Sequence, residues 1–446
     1  MILLRKLKIA IFISLIFITF SNVVLSNAIG LEGKIHKNIY VRDINLSGLT
    51  KEEAKDKINA TLKEHDSFVL RLNEKEYIFK KEYIDVDYNV EELVNEAYSI
   101  GRKQGLISNL KTKANLDLGE KQVLDYDYTF SENKLNDYID CLGKEVYKRP
   151  INSSIKVMDD DNIIVSKDKD GYKINKPELK AIIVGKIKSL DCNEEIIPIT
   201  SIKANYLYED LIKIDTVLGR FETFFNPNNE NRCNNIRLAA RATNNVILKE
   251  GEIFSFNDKI KNSYLSKYFK EATIIINGKK DKGLGGGMCQ VSTTIYNAAL
   301  YSGLKILNTK NHSIPSAYIE KGRDATVSQG YIDLKFSNKY STPVLINNKV
   351  YENKIVSTIY GSRKDAKDIK VITKTVEELP NKIVIKNSDK YDLGEKVIEQ
   401  EGRKGYKVET YRIYKYGDCE SKEYISQSYY PPQDKIIVNG TREISK

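Results

Sequence analysis

Between residues 35 and 205 the apolar positions alternate between a helical period and a strand period. Thr50-Lys51-Glu52-Glu53 reads as a capping box, predicting a helix through Leu62 with Ala54, Ile58 and Leu62 on one face. Alternation from Phe68 to Leu72, polar Asn73-Glu74 and a return from Tyr77 to Phe79 predict a hairpin. Asn89 and Glu92 then cap a second helix that ends near Gly101. The same order recurs: a helical stripe of Leu135, Tyr138, Ile139 and Leu142, a hairpin of Ile155–Val157 and Ile163–Val165 across an acidic turn, and a helix from Pro177 to Ile187. The pattern predicts two α+β repeat units, about 35–120 and 121–205. A single irregular α+β domain is the alternative.

From about residue 215 the texture changes. A helix is expected over 235–247, a turn into a strand over Gly251–Phe256, and a strand over Ala272–Ile276. A glycine-rich loop, Gly283–Gly287, leads into a helix over Met288–Tyr301 with Val291, Ile295, Ala298 and Ala299 at helical spacing. Strands are expected near Lys305–Leu307, Ala317–Ile319, Ala325–Val327, Tyr331–Phe336 and Pro343–Ile346. Residues 368–446 are strand-like throughout, with turns at glycines 394, 402, 405, 417 and 440. That part is expected to be a small, extended all-β module with little core of its own. The fold class is therefore α+β and multidomain.

Composition places the chain among globular proteins. It has 446 residues, 41% apolar and 30% charged. The net charge of +10 comes from scattered lysines opposed by many carboxylates. Such a surface tolerates an anionic wall or membrane, and it lacks the compact basic stripe with interleaved aromatics that a nucleic-acid groove needs. Residues 1–28 carry Arg5, Lys6 and Lys8 ahead of an apolar run from Ile9 to Phe20, continued by Val23–Leu25. This is an export segment, either a signal peptide cut near Val24 and Ser26 or an uncleaved membrane anchor. Either way the remainder is expected outside the cytoplasm.

Five cysteines, at 141, 192, 233, 289 and 419, are too few and too scattered for a disulfide framework or a metal site. No cofactor is expected. Cys289 stands apart, because it follows three glycines and opens a helix. Free N–H groups and the positive end of the helix dipole favour an anion there, and so favour a thiolate. The amides of Gly287, Met288 and Cys289 are oxyanion candidates for acyl transfer. His312, in Asn311-His312-Ser313, is the sole histidine beyond residue 65 and the natural base. On spacing alone, an activated thiol and a small buried hydrophobe stand side by side as readings of Cys289.

The run Gly285-Gly-Gly-Met-Cys-Gln-Val-Ser-Thr-Thr-Ile-Tyr-Asn-Ala-Ala-Leu300, with His312-Ser313, Gly322-Arg-Asp-Ala-Thr-Val327 and Ile332-Asp-Leu-Lys-Phe336, resembles the VanW domain. Asn231-Arg232, Asn235-Ile236 and Gly251-Glu-Ile-Phe-Ser-Phe-Asn257 fit the same pattern. The departures, Thr243-Asn244-Asn245 and Lys261-Asn262-Ser263, leave the Cys–His pair untouched. A VanW domain is expected over 215–352. Leu46-Ser-Gly-Leu-Thr-Lys-Glu-Glu-Ala54 and Tyr98-Ser-Ile-Gly-Arg102 resemble the peptidoglycan-binding repeats that precede such domains. The spaced glycines of 368–446 resemble the five-glycine (G5) module of wall proteins.

The resemblance implies an extracytoplasmic L,D-transpeptidase of a Gram-positive cell wall, without cofactor, acting on peptidoglycan stem peptides and glycan strands. Cys289 would form the acyl-enzyme and His312 would be the base. Arg323 would take the donor carboxylate and Asp324 would orient His312, or each would be part of a structural ion pair, with Gln290 and Ser313 as further substrate or orienting candidates. A hydrolase using the same centre, amidase or endopeptidase, is the alternative. A non-catalytic wall-binding or glycopeptide-resistance accessory protein is another. The flanking modules are expected to hold the centre against the wall, so that residues 215–350 alone would keep activity on soluble stems.

Overall fold

A computed structural model describes residues 33–276 and 279–443. The export segment of residues 1–28 lies outside the described residues. No helix among the described residues is long and apolar enough to cross a membrane. The chain divides into two compact units, one running to Pro150 and resuming at Asp170–Lys203, the other comprising Ile151–Lys169 and everything from Ala204.

The first unit contains the elements the periodicities predict. Thr50 Oγ1 accepts from Glu53 N at 3.2 Å, and Glu53 Oε2 accepts from Thr50 N at 2.8 Å, so the capping box opens the helix Lys51–Glu64. Such a cap contributes about 1 kcal/mol. Strands Ser67–Leu72 and Lys75–Lys80 close the expected hairpin through Asn73, whose φ is 53°. The two predicted repeats are not separate bodies, however. Ile39–Val41 pairs in parallel with Gln122–Leu124, and Leu70 and Arg71 pair in parallel with Glu195 and Ile196. Ile39, Leu70, Leu135, Ile139, Leu179, Ile183 and Ile197 share one core. Each half lends a strand to the other because strands of two or three residues cannot enclose a core alone. The expected hairpin at 155–165 leaves this unit altogether and packs Ile155 beside Leu211, Ile214, Leu345 and Tyr360 in the second.

The second unit is built around one buried helix. In chain order it has β1 (Thr216–Phe224), α1 (Glu230–Ala242), β2 (Val246–Leu248), β3 (Ile253–Ser255), β4 (Glu271–Ile276), β5 (Lys279–Leu284) and α2 (Met288–Tyr301). Then come β6 (Lys305–Asn308), β7 (Lys335–Ser337), β8 (Val344–Val350) and β9 (Lys354–Gly361). The last strands are β10 (Asp368–Leu379), β11 (Ile383–Asp392), β12 (Lys396–Gln400), β13 (Gly405–Tyr416), β14 (Cys419–Tyr430) and β15 (Lys435–Arg442). β1-β9-β8-β2 form an antiparallel sheet, β3-β7-β6 a smaller one, and β4-β5 a hairpin. The tail folds as two sheets, β10-β13-β14 and β11-β15-β12.

Helix α2 sends Val291, Ile295, Ala298 and Ala299, all fully buried, into a core with Ile236, Phe254 and Phe336. Its polar stripe is buried too. Ser292 Oγ donates to Ala325 O at 2.6 Å, Ala325 N donates to Thr293 Oγ1 at 3.0 Å, and Asn297 Nδ2 donates to Arg323 O at 2.8 Å. These bonds satisfy the backbone of 323–327, which therefore needs no sheet partner. The strand expected at 325–327 is irregular chain for this reason, and the one expected at 317–319 is a turn. The tail, expected to have little core of its own, lends Val371 to the core around α2, with Ile369 and Ile425 beside it.

Candidate functional site

The glycine run is set by packing. Gly287 is the N-cap of α2 with φ 118°, and a Cβ there would lie 3.0 Å from Ile236 Cγ1 and 3.2 Å from Arg232 O. A Cβ on Gly286 would meet Thr273 O at 2.6 Å. Only glycine lets the loop pass between α1 and β4 in this conformation. Buried Asn235 fastens it there, with Nδ2 donating to Gly286 O at 3.0 Å and to Lys270 O at 2.8 Å. The loop delivers Cys289 as the second residue of α2, half-buried, with Sγ 3.5 Å from both Val327 O and Val327 N.

His312 comes from the irregular chain after β6. Asp324 Oδ2 accepts from His312 N at 2.6 Å and lies 2.7 Å from Nδ1. Ser316 Oγ is 3.2 Å from the same ring nitrogen. With Nδ1 committed to Asp324, Nε2 is the nitrogen left for Cys289, which acts on the ring's ionisation. Burial pulls the imidazole pKa down, but the bonds to Asp324 and Cys289 outweigh it and raise the pKa to about 9. The ring thus holds its proton more firmly than a free imidazole does, beside a sulfur at a helix N-terminus.

Among the amides proposed for the oxyanion, Met288 N is already used, donating to Gly285 O at 3.0 Å. Gly287 N and Cys289 N have no acceptor among the described residues. Gln290 is buried, with Nε2 donating to Phe224 O at 2.8 Å and to Thr223 Oγ1 at 3.1 Å, and Oε1 accepting from Arg232 at 2.9 Å. It braces a wall and presents no free group. Arg323 is buried, its Nε donating to Asn297 Oδ1 at 2.8 Å and its guanidinium 4.8 Å from the Phe221 ring centroid. Its contacts are those of a latch between α2 and the 323–327 segment. Ser313 shares the His312 loop and has no hydrogen bond to Cys289, His312 or Asp324 among the described residues.

A cavity of about 390 Å³ is lined by Phe224, Phe225, Arg232, Gln290, Ala317 and Tyr318. Tyr318 ties it to the thiol, because burial and then the charge of Cys289 push its hydroxyl pKa up. Arg232 makes no ion pair among the described residues, and its one neutral partner is Gln290. The expectations for this site did not include Arg232. The signal was available as a lone cation within the first turn of α1, but only the fold turns that helix toward Cys289.

The helix-borne thiol and the carboxylate-anchored histidine both lie within the stretch that a family comparison covers. Residues 231–360 match the VanW like protein family, 77–194 a family described as a peptidoglycan binding domain, and 370–442 the G5 domain. The chain is 34% identical over 251 residues to "Uncharacterized protein YoaR" of Bacillus subtilis (strain 168), covering 56% of this chain and 82% of that protein. It is 32% identical over 139 residues to "Vancomycin B-type resistance protein VanW" of Enterococcus faecalis (strain ATCC 700802 / V583), covering 30% of this chain and 50% of that one. The chain belongs to the VanW family. The tail is similar to the IgA1 protease G5 domain structure, at 28% identity over 17% of this chain and 90% of that one, with a TM-score of 0.14. It is also similar to the HP0197-G5 structure, at 27% identity over 16% and 97%, with a TM-score of 0.12. These modules group the chain with extracytoplasmic cell-wall proteins.

Proposed function

We propose that this protein is a cysteine-dependent peptidoglycan L,D-transpeptidase. The observation that carries the reading is the order Cys289–His312–Asp324 at a helix start whose Gly287 and Cys289 amides are free. The imidazolium favours the thiolate, and the thiolate attacks the carbonyl of the third stem residue. The oxyanion is received by the free amides. As the C–N bond to the terminal D-alanine breaks, His312 gives its proton to the departing amine. The neutral imidazole then takes a proton from the side-chain amine of a neighbouring stem. That amine attacks the thioester, the C–S bond breaks, and a cross-link between two third-position residues remains.

Arg232, rather than Arg323, is assigned the donor's terminal carboxylate, since it faces the cavity without a counter-ion. The peptidoglycan-binding unit holds the glycan and stems of the wall. The purified protein incubated with tetrapeptide stems should carry on Cys289 an adduct of the stem less its D-alanine, and should release dimers. A donor amidated at its C-terminus should acylate more slowly. Shortened monomers without dimers would assign the acyl group to water and sink the transferase reading.

A further inference from the structure

We infer that Tyr430, at the end of β14 in the C-terminal G5 module, is a positioning residue of the catalytic centre. Its hydroxyl donates to Asp324 Oδ1 at 2.5 Å, and the side chain is fully buried. Asp324 is thereby held at both oxygens: Oδ2 by His312, Oδ1 by Tyr430. A carboxylate fixed in this way presents one oxygen to the imidazole in a single orientation. Without the tyrosine, Oδ1 would be a buried acceptor lacking its donor and the group would be free to turn.

The surrounding contacts show a built joint. The Tyr430 hydroxyl also accepts from Gly322 N at 2.7 Å, and Gly322 O accepts from Thr410 Oγ1 at 2.7 Å. A Cβ on Gly322 would lie 2.9 Å from both Thr410 Oγ1 and Val408 Cγ1, so the glycine two residues before Asp324 is required by the module lying on it. On the other side of the histidine, Asn311 Nδ2 donates to Tyr429 O at 2.8 Å, and Tyr429 N donates back to Asn311 Oδ1 at 3.3 Å. Buried Arg412 of β13 donates to Leu304 O at 3.0 Å, just past α2. Lys321 lies 3.7 Å over the Tyr406 ring. Strands β13 and β14 therefore grip the chain before His312 and the chain before Asp324 together. The expectation that 215–350 alone keeps activity conflicts with this joint, because that segment lacks the donor to Asp324.

The titratable groups facing Asp324 are His312 and Tyr318 from the irregular chain, Tyr296 from α2 and Tyr430 from β14. Cys289 acts on His312, and the charges of Arg412 and Arg323 act on Tyr296. Among these, Tyr430 is the group of the module that donates to the carboxylate.

The inference rests on the Cys–His–Asp reading above, so the test does not use cross-linking. In the full chain, alkylation of Cys289 by iodoacetamide is followed by peptide mass spectrometry from pH 4 to 10. Tyr430→Phe should slow alkylation of Cys289 at pH 6 about tenfold and change the shape of the pH profile, because the histidine beside the thiol is held less well. Tyr411→Phe, whose hydroxyl bonds Glu409 in the same module, should follow the parent profile. A Tyr430→Phe profile superimposable on the parent, even with a lowered Tm, overturns the inference and leaves the tyrosine a packing residue. A parent chain that alkylates as described but makes no cross-links would defeat the transpeptidase reading and leave this one standing.

Discussion

Among the described residues two cysteines have a histidine beside them, and the two pairs differ in helix polarity and in the histidine's second partner. In the first unit His65 Nδ1 lies 3.3 Å from Cys192 Sγ. Cys192 follows the C-terminal end of the helix Lys176–Ser189, whose cap Leu190 has φ 57°, and there the helix dipole opposes a thiolate. Burial pushes the Cys192 thiol pKa up, only partly offset by Lys81. Lys81 is itself buried, and desolvation lowers its pKa to about 8. No carboxylate bonds His65 among the described residues. In the second unit Cys289 is at a helix N-terminus and His312 is anchored by Asp324. Contact between sulfur and imidazole is thus a weak criterion. Helix polarity and the histidine's second partner separate a nucleophile from a core thiol.

The sharpest way to break this contrast is to delete each sulfur. Cys289→Ala should lower cross-linking by at least about 10³-fold, whereas Cys192→Ala should stay within about twofold, measured on muropeptides by mass spectrometry. Equal losses would erase the distinction. Next in size is Asp324→Asn, expected to lower kcat on the order of 10²–10⁴-fold while the protein still folds.

The same substitution has a pH signature. The folded pKa of His312 is raised, so its pairing stabilises the fold fully below about pH 6.5 and the contribution is lost as pH rises through about 9. Urea denaturation should show that decline in the parent chain and a flatter profile in Asp324→Asn. An identical decline in both would remove Asp324 as its cause. The smallest effect belongs to the other pair. His65→Ala should cost about 1 kcal/mol or less and leave cross-linking unchanged.

Local signals were legible where a short stretch of chain decides its own structure. The capping box at Thr50, the hairpin through Asn73 and the helix after the glycine run are as the sequence pattern predicts. Boundaries failed where pairing is long-range. Nothing local shows that Ile39–Val41 seeks Gln122–Leu124, so two apparent repeats fold as one core. The turn expected at Gly417 is again a local signal, since Tyr416 pairs with Cys419 across Gly417-Asp418.

Cys289 and His312 were named from residue types and spacing, because a helix start after glycines has a local electrostatic meaning. The roles of Arg323, Arg232 and Tyr430 were not legible in that way. Whether an arginine meets a substrate or an asparagine depends on which face of which neighbour it lies against. The sequence by itself determined the thiol, its helix, the histidine and the order of modules, all of which follow from residues near one another in the chain. Tertiary structure alone decided that a tyrosine 106 positions from Asp324 completes its hydrogen bonding. Burial strips water from that carboxylate, and the donors that replace it must come from whatever the fold brings alongside.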